Sequence, residues 1–432
     1  MKLLKRKLKY FSGTVGVDLA YLTRSTFWTT ILYAINSLLS LASIYVIARY
    51  LPQDIYGTYK YLLALASSFS FLTLSGMNNA LIREAAISKV NILETSVKIQ
   101  LRWNMLYTIA VSLCAVYYAW MGNYAFALCL ALLAIFPAMQ YAYNTYGAYL
   151  TGKQRIKENA VTSIIVAITS SLSILFTILL TDNLVWIMTA YCLGSFIPTF
   201  YFYRMINAEL KSKPAGEESI TIKGLLQYAR HLTFISAMPI VAAQVDKISI
   251  FQLVGPKELA LYSIALAVPE RIKGYVKSLA LTFMPRLSKR DIGNIHRVFY
   301  TRVIQTLVIG FLIAAAYYIT VPLVFQYIIP NYVDALPYAR GLAITVAFAV
   351  VTTYTSNIFR AQKMIREIYY SSIFGHLSRI IVYPFLVFFF GTWGIIYALT
   401  AVYVIGFAQN IYLFERFARK QLIKTDAKNG TQ

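Results

Sequence analysis

Only 17 of the 432 residues are aspartate or glutamate, three are histidine and three are cysteine. Chemistry that depends on paired carboxylates, metal-ligand clusters or a thiolate therefore has few groups to draw on. Cys114, Cys129 and Cys192 all fall inside apolar stretches, with no spacing that suggests a metal or a disulfide, and read as small core residues. His231, His296 and His376 are scattered over different segments, and the chain has no GxxxxGK[ST] phosphate loop, no D-x-D and no H-E-x-x-H. An ATP-hydrolysing pump would need a separate subunit. Connections outside the basic ones are short, the longest covering about 326–336, which leaves no room for a large catalytic loop.

Apolar surface is what the chain has in excess. Hydrophobic residues make up 59%, charged residues 13%, and the mean hydropathy is +0.60, more than a soluble core could hide. Spans of roughly 20 residues are needed to cross a bilayer. Twelve such stretches are expected between 25 and 414, the second near 58–80 and the eighth near 258–284. Alternate connections, counted from the N-terminus, hold 31 of the 40 Lys and Arg residues. The positive-inside rule then puts both termini and every basic loop in the cytoplasm. The net charge of +23 reads as topology and contact with anionic membrane lipid, with no nucleic-acid partner. The opening MKLLKRKLKYF fits this orientation better than a secretory signal, since no apolar run follows until after Arg24.

The chain also repeats itself. Tyr59 and Tyr262, like Arg83 and Arg286, are 203 apart, while Lys157-Glu158 and Arg366-Glu367 are 209 apart, close to half the length. Six spans per half is an even number, so the expectation is an all-α integral membrane protein with twelve transmembrane helices in two six-helix lobes related as parallel repeats. Its divisions would be an N-terminal lobe at 1–210, a cytoplasmic linker at 211–231 and a C-terminal lobe at 232–432.

Polar side chains inside spans are the best guide to function, because each must be hydrated or paired. In the first span Thr26, Thr29, Thr30, Tyr33, Asn36, Ser37, Ser40 and Ser43 recur at helical steps and make one polar face. That face is either the wall of a hydrated cavity, lined by Tyr33, Asn36 and Ser40, or hydroxyl packing against a neighbouring helix. The second half carries charge. Glu270 and Arg271 lie near the middle of the eighth span, followed by Lys273 and Lys277, and the seventh adds Asp246 and Lys247. Each such residue costs about 2.5–3.5 kcal/mol at a helix centre, so they should face water or one another. Glu270, Lys273 and Lys277 share one helix face. Asp246 and Glu270 either balance these cations within the lobe or titrate in ion coupling. On the eleventh span Tyr369, Ser372, His376, Arg379 and Tyr383 form a further stripe, in which Arg379 either reaches an anionic substrate or pairs with Asp246 or Glu270. Five deep cations (Lys247, Arg271, Lys273, Lys277, Arg379) against two acids suit a phosphate or acidic sugar. The same balance argues against a drug antiporter, which would want an acidic cavity, and no paired catalytic carboxylates suggest a glycan-modifying enzyme.

ARYLPQDIYGTYKYLLAL (48–65), GMNNALIREAA (76–86), GLLQYARHLTFISAMPIVAAQVDKISI (224–250), GPKELALYSIALAVPERI (255–272), LTFMPRLSK (281–289) and IPNYVDALPY (329–338) together resemble the polysaccharide-export branch of the multidrug, oligosaccharidyl-lipid and polysaccharide (MOP) exporter superfamily, and most of all its Wzx-type O-antigen flippases. The matching family pattern covers Asp246, Tyr262, Pro269, Glu270 and Pro285. The resemblance implies a MATE/MOP-like fold in the bacterial inner membrane and translocation of an undecaprenyl-diphosphate-linked oligosaccharide to the outer leaflet by alternating access. It implies no cofactor beyond H+ or Na+ coupling, with a polysaccharide polymerase and a chain-length regulator as partners to look for. The two extra C-terminal spans expected of a peptidoglycan-precursor flippase are missing.

Overall fold

The computed structural model describes residues 19–87, 92–211, 222–282 and 284–429, and among them there is no strand. The basic run MKLLKRKLKYF and residues 212–221 of the polar link lie outside the described residues. The first half of the chain forms α1 (Leu19–Tyr50), α2 (Gln53–Ser68), α3 (Met77–Ile87), α4 (Leu93–Trp120), α5 (Tyr124–Tyr143), α6 (Thr145–Gly152), α7 (Ile156–Leu180) and α8 (Leu184–Lys211). The second forms α9 (Ile222–Ala242), α10 (Val245–Leu253), α11 (Pro256–Thr282), α12 (Met284–Ser288), α13 (Ile292–Leu323), α14 (Leu336–Ala361), α15 (Ile365–Phe390) and α16 (Thr392–Asn429).

Ten helical stretches among the described residues are long and apolar enough to cross a membrane, and the protein is a multi-pass membrane protein. Of the twelve expected spans, the second and the eighth fall outside this set. The second is interrupted: α2 is only 16 residues long, a 3-10 turn follows at Phe69–Leu72, and Thr73 is extended at φ −75° and ψ 145°. The eighth, α11, has 27 residues and is long enough. Glu270, Arg271, Lys273 and Lys277 dilute its apolar character instead.

The repeat is built into the backbone. Helices α2 and α11 start at Gln53 and Pro256, 203 residues apart, and α7 and α15 at Ile156 and Ile365, 209 apart. The turns before α7 and α15 each hold a left-handed residue, Gln154 at φ 59° and Lys363 at φ 54°, again 209 apart. Both turns close alike, Arg155 N–H donating to Leu150 O at 2.8 Å and Met364 N–H to Phe359 O at 2.9 Å, the six-to-one bond of a Schellman cap. A left-handed backbone is costly outside glycine, so its recurrence at the repeat spacing marks one turn made twice. The packing recurs too. Helix α4 lies on α5, α5 on α8 and α7 on α8, as α13 lies on α14, α14 on α16 and α15 on α16.

Packing divides the chain into two compact units. Unit 1 holds residues 1–50 and 66–237, and unit 2 holds 51–65 and 238–432, so the start of α2 belongs with the second half of the sequence and the start of α9 with the first. In unit 2 the Tyr61 ring stacks on Phe251 with centroids 3.9 Å apart, and Gln53 Nε2 donates to Asn331 O at 2.7 Å. Gly57 meets α11 so closely that a Cβ would run into the Pro256 carbonyl. In unit 1 Gly76 N–H donates to Thr233 Oγ1 at 3.0 Å, and Arg230 lies 4.9 Å from the Trp103 ring centre. Unit 1 also shows how a buried proline is accommodated. Pro137 in α5 has no N–H to give the Leu133 carbonyl. Tyr107 OH on α4 donates to that oxygen at 3.1 Å, flanked by Thr108 Oγ1 to Ala134 O at 2.9 Å and Asn104 Nδ2 to Ala138 O at 2.7 Å.

Candidate functional site

Charge inside the spans gathers in unit 2. Pro239 and the turn at Ala243–Gln244 end α9, and Val245 opens α10, so Asp246 falls in the first turn of a new helix, where backbone N–H groups favour a carboxylate. Its side chain is buried at 8% exposure. Oδ2 accepts a hydrogen bond from Tyr262 OH of α11 at 2.8 Å, whereas Oδ1 has no hydrogen-bond partner among the described residues. Lys247, one residue on, turns back on its own helix, donating to Gln244 Oε1 at 3.0 Å.

Along α11 the buried Pro269 precedes Glu270, which is exposed. Lys273, one turn on, donates to Glu270 Oε1 at 3.1 Å, and its side chain is only 9% exposed. Its ammonium also lies 4.8 Å from the ring centre of Tyr403 on α16, an attraction to the π face of the ring. Arg271 and Lys277 are exposed. Lys60, half-buried on α2, lies within electrostatic range of Arg271. Among the described residues none of these three cations has a carboxylate partner.

Helix α15 completes the group. The Arg379 guanidinium interacts electrostatically with Tyr383, Tyr403, Asp246 and Glu270. Its Nε, the Tyr383 hydroxyl and His376 Nδ1 are buried without hydrogen-bond partners among the described residues. A buried polar atom left unpaired costs about 1–3 kcal/mol, so these atoms, with Asp246 Oδ1, mark a place where water, an ion or a ligand group is wanted.

Of the residues singled out in the sequence, Asp246, Glu270, Lys273 and Arg379 thus form one coupled set on α10, α11 and α15, with Arg271 and Lys277 on the exposed side of α11. Lys247 is engaged elsewhere. Tyr33, Asn36 and Ser40 belong to unit 1: Tyr33 is 55% exposed, Asn36 and Ser40 are half-buried, and Ser37 and Ser43 bond to carbonyls of their own helix at 2.8 Å. Side-chain detail at Pro285 lies outside the described residues. Two participants escaped sequence reasoning. Lys60 sits in a stretch that chain order assigns to the first lobe, although a lone lysine two residues inside an expected span was a signal. Tyr403 is one of 35 tyrosines and gave none.

The charges sort into two groups. Asp246 and Glu270 are offset by Arg379 and Lys273, which leaves Lys60, Lys247, Arg271 and Lys277 without a counter-charge among the described residues, and of these Lys247 is bonded to the neutral Gln244 amide. The first group can hold or pass a proton or cation. The second can bind an anion.

The fold is shared with solved transporters. Lipid II flippase MurJ in an inward closed conformation aligns with 95% of this chain and 93% of its own at 12% identity and a TM-score of 0.63. An inward-facing multidrug resistance MATE family transporter of the MOP superfamily aligns with 90% of this chain and 99% of its own, at 12% identity and a TM-score of 0.59. The eukaryotic MATE transporter AtDTX14 gives 93% and 98% coverage, 12% identity and a TM-score of 0.56. No curated protein matches the chain by sequence. The family described as polysaccharide biosynthesis protein is matched over residues 22–291, more than half of the 432 residues, and the chain belongs to that family.

Proposed function

We propose that the protein is a flippase that carries undecaprenyl-diphosphate-linked oligosaccharide repeat units from the cytoplasmic to the outer leaflet of the bacterial inner membrane, for O-antigen or exopolysaccharide synthesis. The observation that carries this reading is the uncompensated cation set Lys60, Arg271 and Lys277, in a member of a polysaccharide biosynthesis family whose fold is that of MOP transporters. A diphosphate with a hydrophilic glycan cannot cross hydrocarbon unaided, because each buried charge is expensive unless paired. Cations on an exposed helix face replace its water. The polyprenyl tail stays in lipid, and the lobes alternate between inward-open and outward-open states. The carboxylates Asp246 and Glu270, with Arg379 as internal counter-charge, are the groups through which a proton or sodium gradient would act. The 31 basic residues in alternate connections support cytoplasmic termini.

The test is reconstitution of the purified protein in proteoliposomes that hold a fluorescent undecaprenyl-diphosphate oligosaccharide, read by quenching from outside. The expected outcome is protein-dependent loss of the protected inner fraction, reduced in the Arg271→Ala variant. Absence of flipping together with extrusion of a cationic dye would turn the assignment to a MATE-type antiporter.

A further inference from the structure

Unit 2 contains a cavity of about 530 Å3 bounded by α11, α12, α13 and α14, and none of its lining residues belongs to the coupled charge set. Its walls change character in a fixed direction. On α13, Arg302, Thr306, Ile309 and Ile313 all line it, at steps of three and four that put them on one helix face. Over a length of about 16 Å the lining passes from guanidinium through hydroxyl to branched aliphatic. On α14 the same gradient runs from Asn357 through Tyr354 to Val350, and Val276 and Leu279 of α11 continue the apolar part.

Among the described residues the polar end lacks a counter-charge, Arg302 donating only to the neutral Gln305 Oε1 at 3.0 Å. Arg290 and Arg302 are exposed, both lie within electrostatic range of the Tyr354 phenol, and among the described residues neither forms an ion pair. Asp291, the neighbouring acid, is engaged in capping α13 through the Gly293 N–H at 2.9 Å. Asn357 is only 3% exposed, and its Nδ2 has no acceptor among the described residues. The backbone beneath is held in place, because Gln362 Nε2 donates to the carbonyls of Leu287 at 2.9 Å and Arg290 at 3.1 Å. The apolar end stays open, with Leu279 65% and Ile309 53% exposed.

We infer that this cavity is a binding site for an anionic glycerophospholipid of the surrounding bilayer, its phosphate held by Arg290, Arg302 and the Asn357 amide and one acyl chain laid along the apolar stripe of α13. A free inorganic anion would leave the aliphatic wall bare. An oligosaccharide would find apolar wall where its hydroxyls need partners. Basic pockets between spans are where anionic headgroups are recognised. This site does not depend on the identity of the transported substrate.

The experiment uses the full chain in mild detergent, equilibrated with equal amounts of phosphatidylglycerol and phosphatidylcholine, the retained lipid being counted by native mass spectrometry. One cation near a net anionic headgroup is worth about fivefold in affinity, and phosphatidylcholine forfeits this because its choline ammonium balances the phosphate, so the wild type should prefer phosphatidylglycerol by about 25-fold. Arg290→Gln and Arg302→Gln should each remove about a fivefold share, and the double variant should approach parity. Asn357→Leu should lower total retention. The Arg416→Gln/Lys420→Gln control, altering exposed cations outside this cavity, should keep the wild-type preference. Parity in the wild type, an unchanged preference in the Arg290/Arg302 double variant, or an equal loss in the control would overturn the site. Full displacement of phosphatidylglycerol by equimolar undecaprenyl phosphate would overturn the phospholipid as its occupant. None of these readouts requires transport, so failure here and failure of the flippase reading are distinguishable.

Discussion

Removing the Tyr262 hydroxyl tests whether the buried carboxylate is held as the geometry indicates. Tyr262 is 0% exposed and donates to Asp246 Oδ2 at 2.8 Å, while Oδ1 has no partner among the described residues. Phenylalanine fills the same volume, so Tyr262→Phe creates no cavity and takes away the carboxylate's phenolic donor. A hydrogen bond to a charged group contributes about 1.5–3 kcal/mol, and the upper part of that range applies where the other oxygen is already unpaired. In an Asp246→Asn background the acceptor is neutral, and the same change should cost about 1 kcal/mol. The double-mutant cycle should therefore give a coupling energy of about 1–2 kcal/mol, well above the scatter of independent sites. The assay is denaturant unfolding of the purified protein in one detergent, followed for all four corners of the cycle. A coupling below about 0.5 kcal/mol would refute the bond as a determinant of the Asp246 environment.

Arg271→Ala in cells should leave the protein in the membrane while surface glycan falls and lipid-linked oligosaccharide accumulates; Arg271→Lys should restore part of it, because charge remains and the bidentate fork is lost. Normal surface glycan from a combined Lys60, Arg271 and Lys277 alanine variant would remove the basis of the anion site. A cysteine at the exposed Asp182 on a cysteine-free background should react with an impermeant maleimide from outside, and one at the exposed Lys157 should not; labelling of position 157 in intact cells would reverse the orientation. Tyr107→Phe should destabilise unit 1 by about 1–3 kcal/mol, since the Leu133 carbonyl opposite Pro137 then has no donor, and an unfolding midpoint equal to wild type would contradict the proline-compensation argument.

The repeat was legible because a shared spacing survives divergence: Lys157-Glu158 and Arg366-Glu367 stand 209 apart in sequence, and Gln154 and Lys363 repeat the backbone conformation at the same interval. The charges of α11 were legible because ionised groups are rare in spans and each needs a reason. The break in the second span was hidden, since FSFLTLSGM at 69–77 is apolar enough to pass for continuous helix. Only the Ser-Gly pair hinted at the turn, and what makes Gly76 necessary is the close approach of α9, where a Cβ would run into the Ala229 carbonyl, 153 residues away. The exchange of the start of α2 into unit 2 was equally hidden. It rests on a ring stack between Tyr61 and Phe251 and a backbone contact between Gly57 and Pro256, neither of which leaves a periodic trace.

Counting charge in a sequence and knowing which charges act are different operations. The sequence offers five deep cations against two acids, and nothing in their spacing says which are cancelled. Packing does part of the subtraction: Lys273 is engaged by Glu270 and the Tyr403 ring, Arg379 lies within electrostatic range of Asp246 and Glu270, and Lys247 is turned toward the neutral Gln244. Arg271 and Lys277 remain, and the exchange of α2 adds Lys60 beside Arg271, a cation no linear reading would have placed there. The cations assigned to the anion site are thus those that the fold leaves, among the described residues, with neither a carboxylate nor a side-chain amide partner, a set narrower than the charge count in one direction and wider in another.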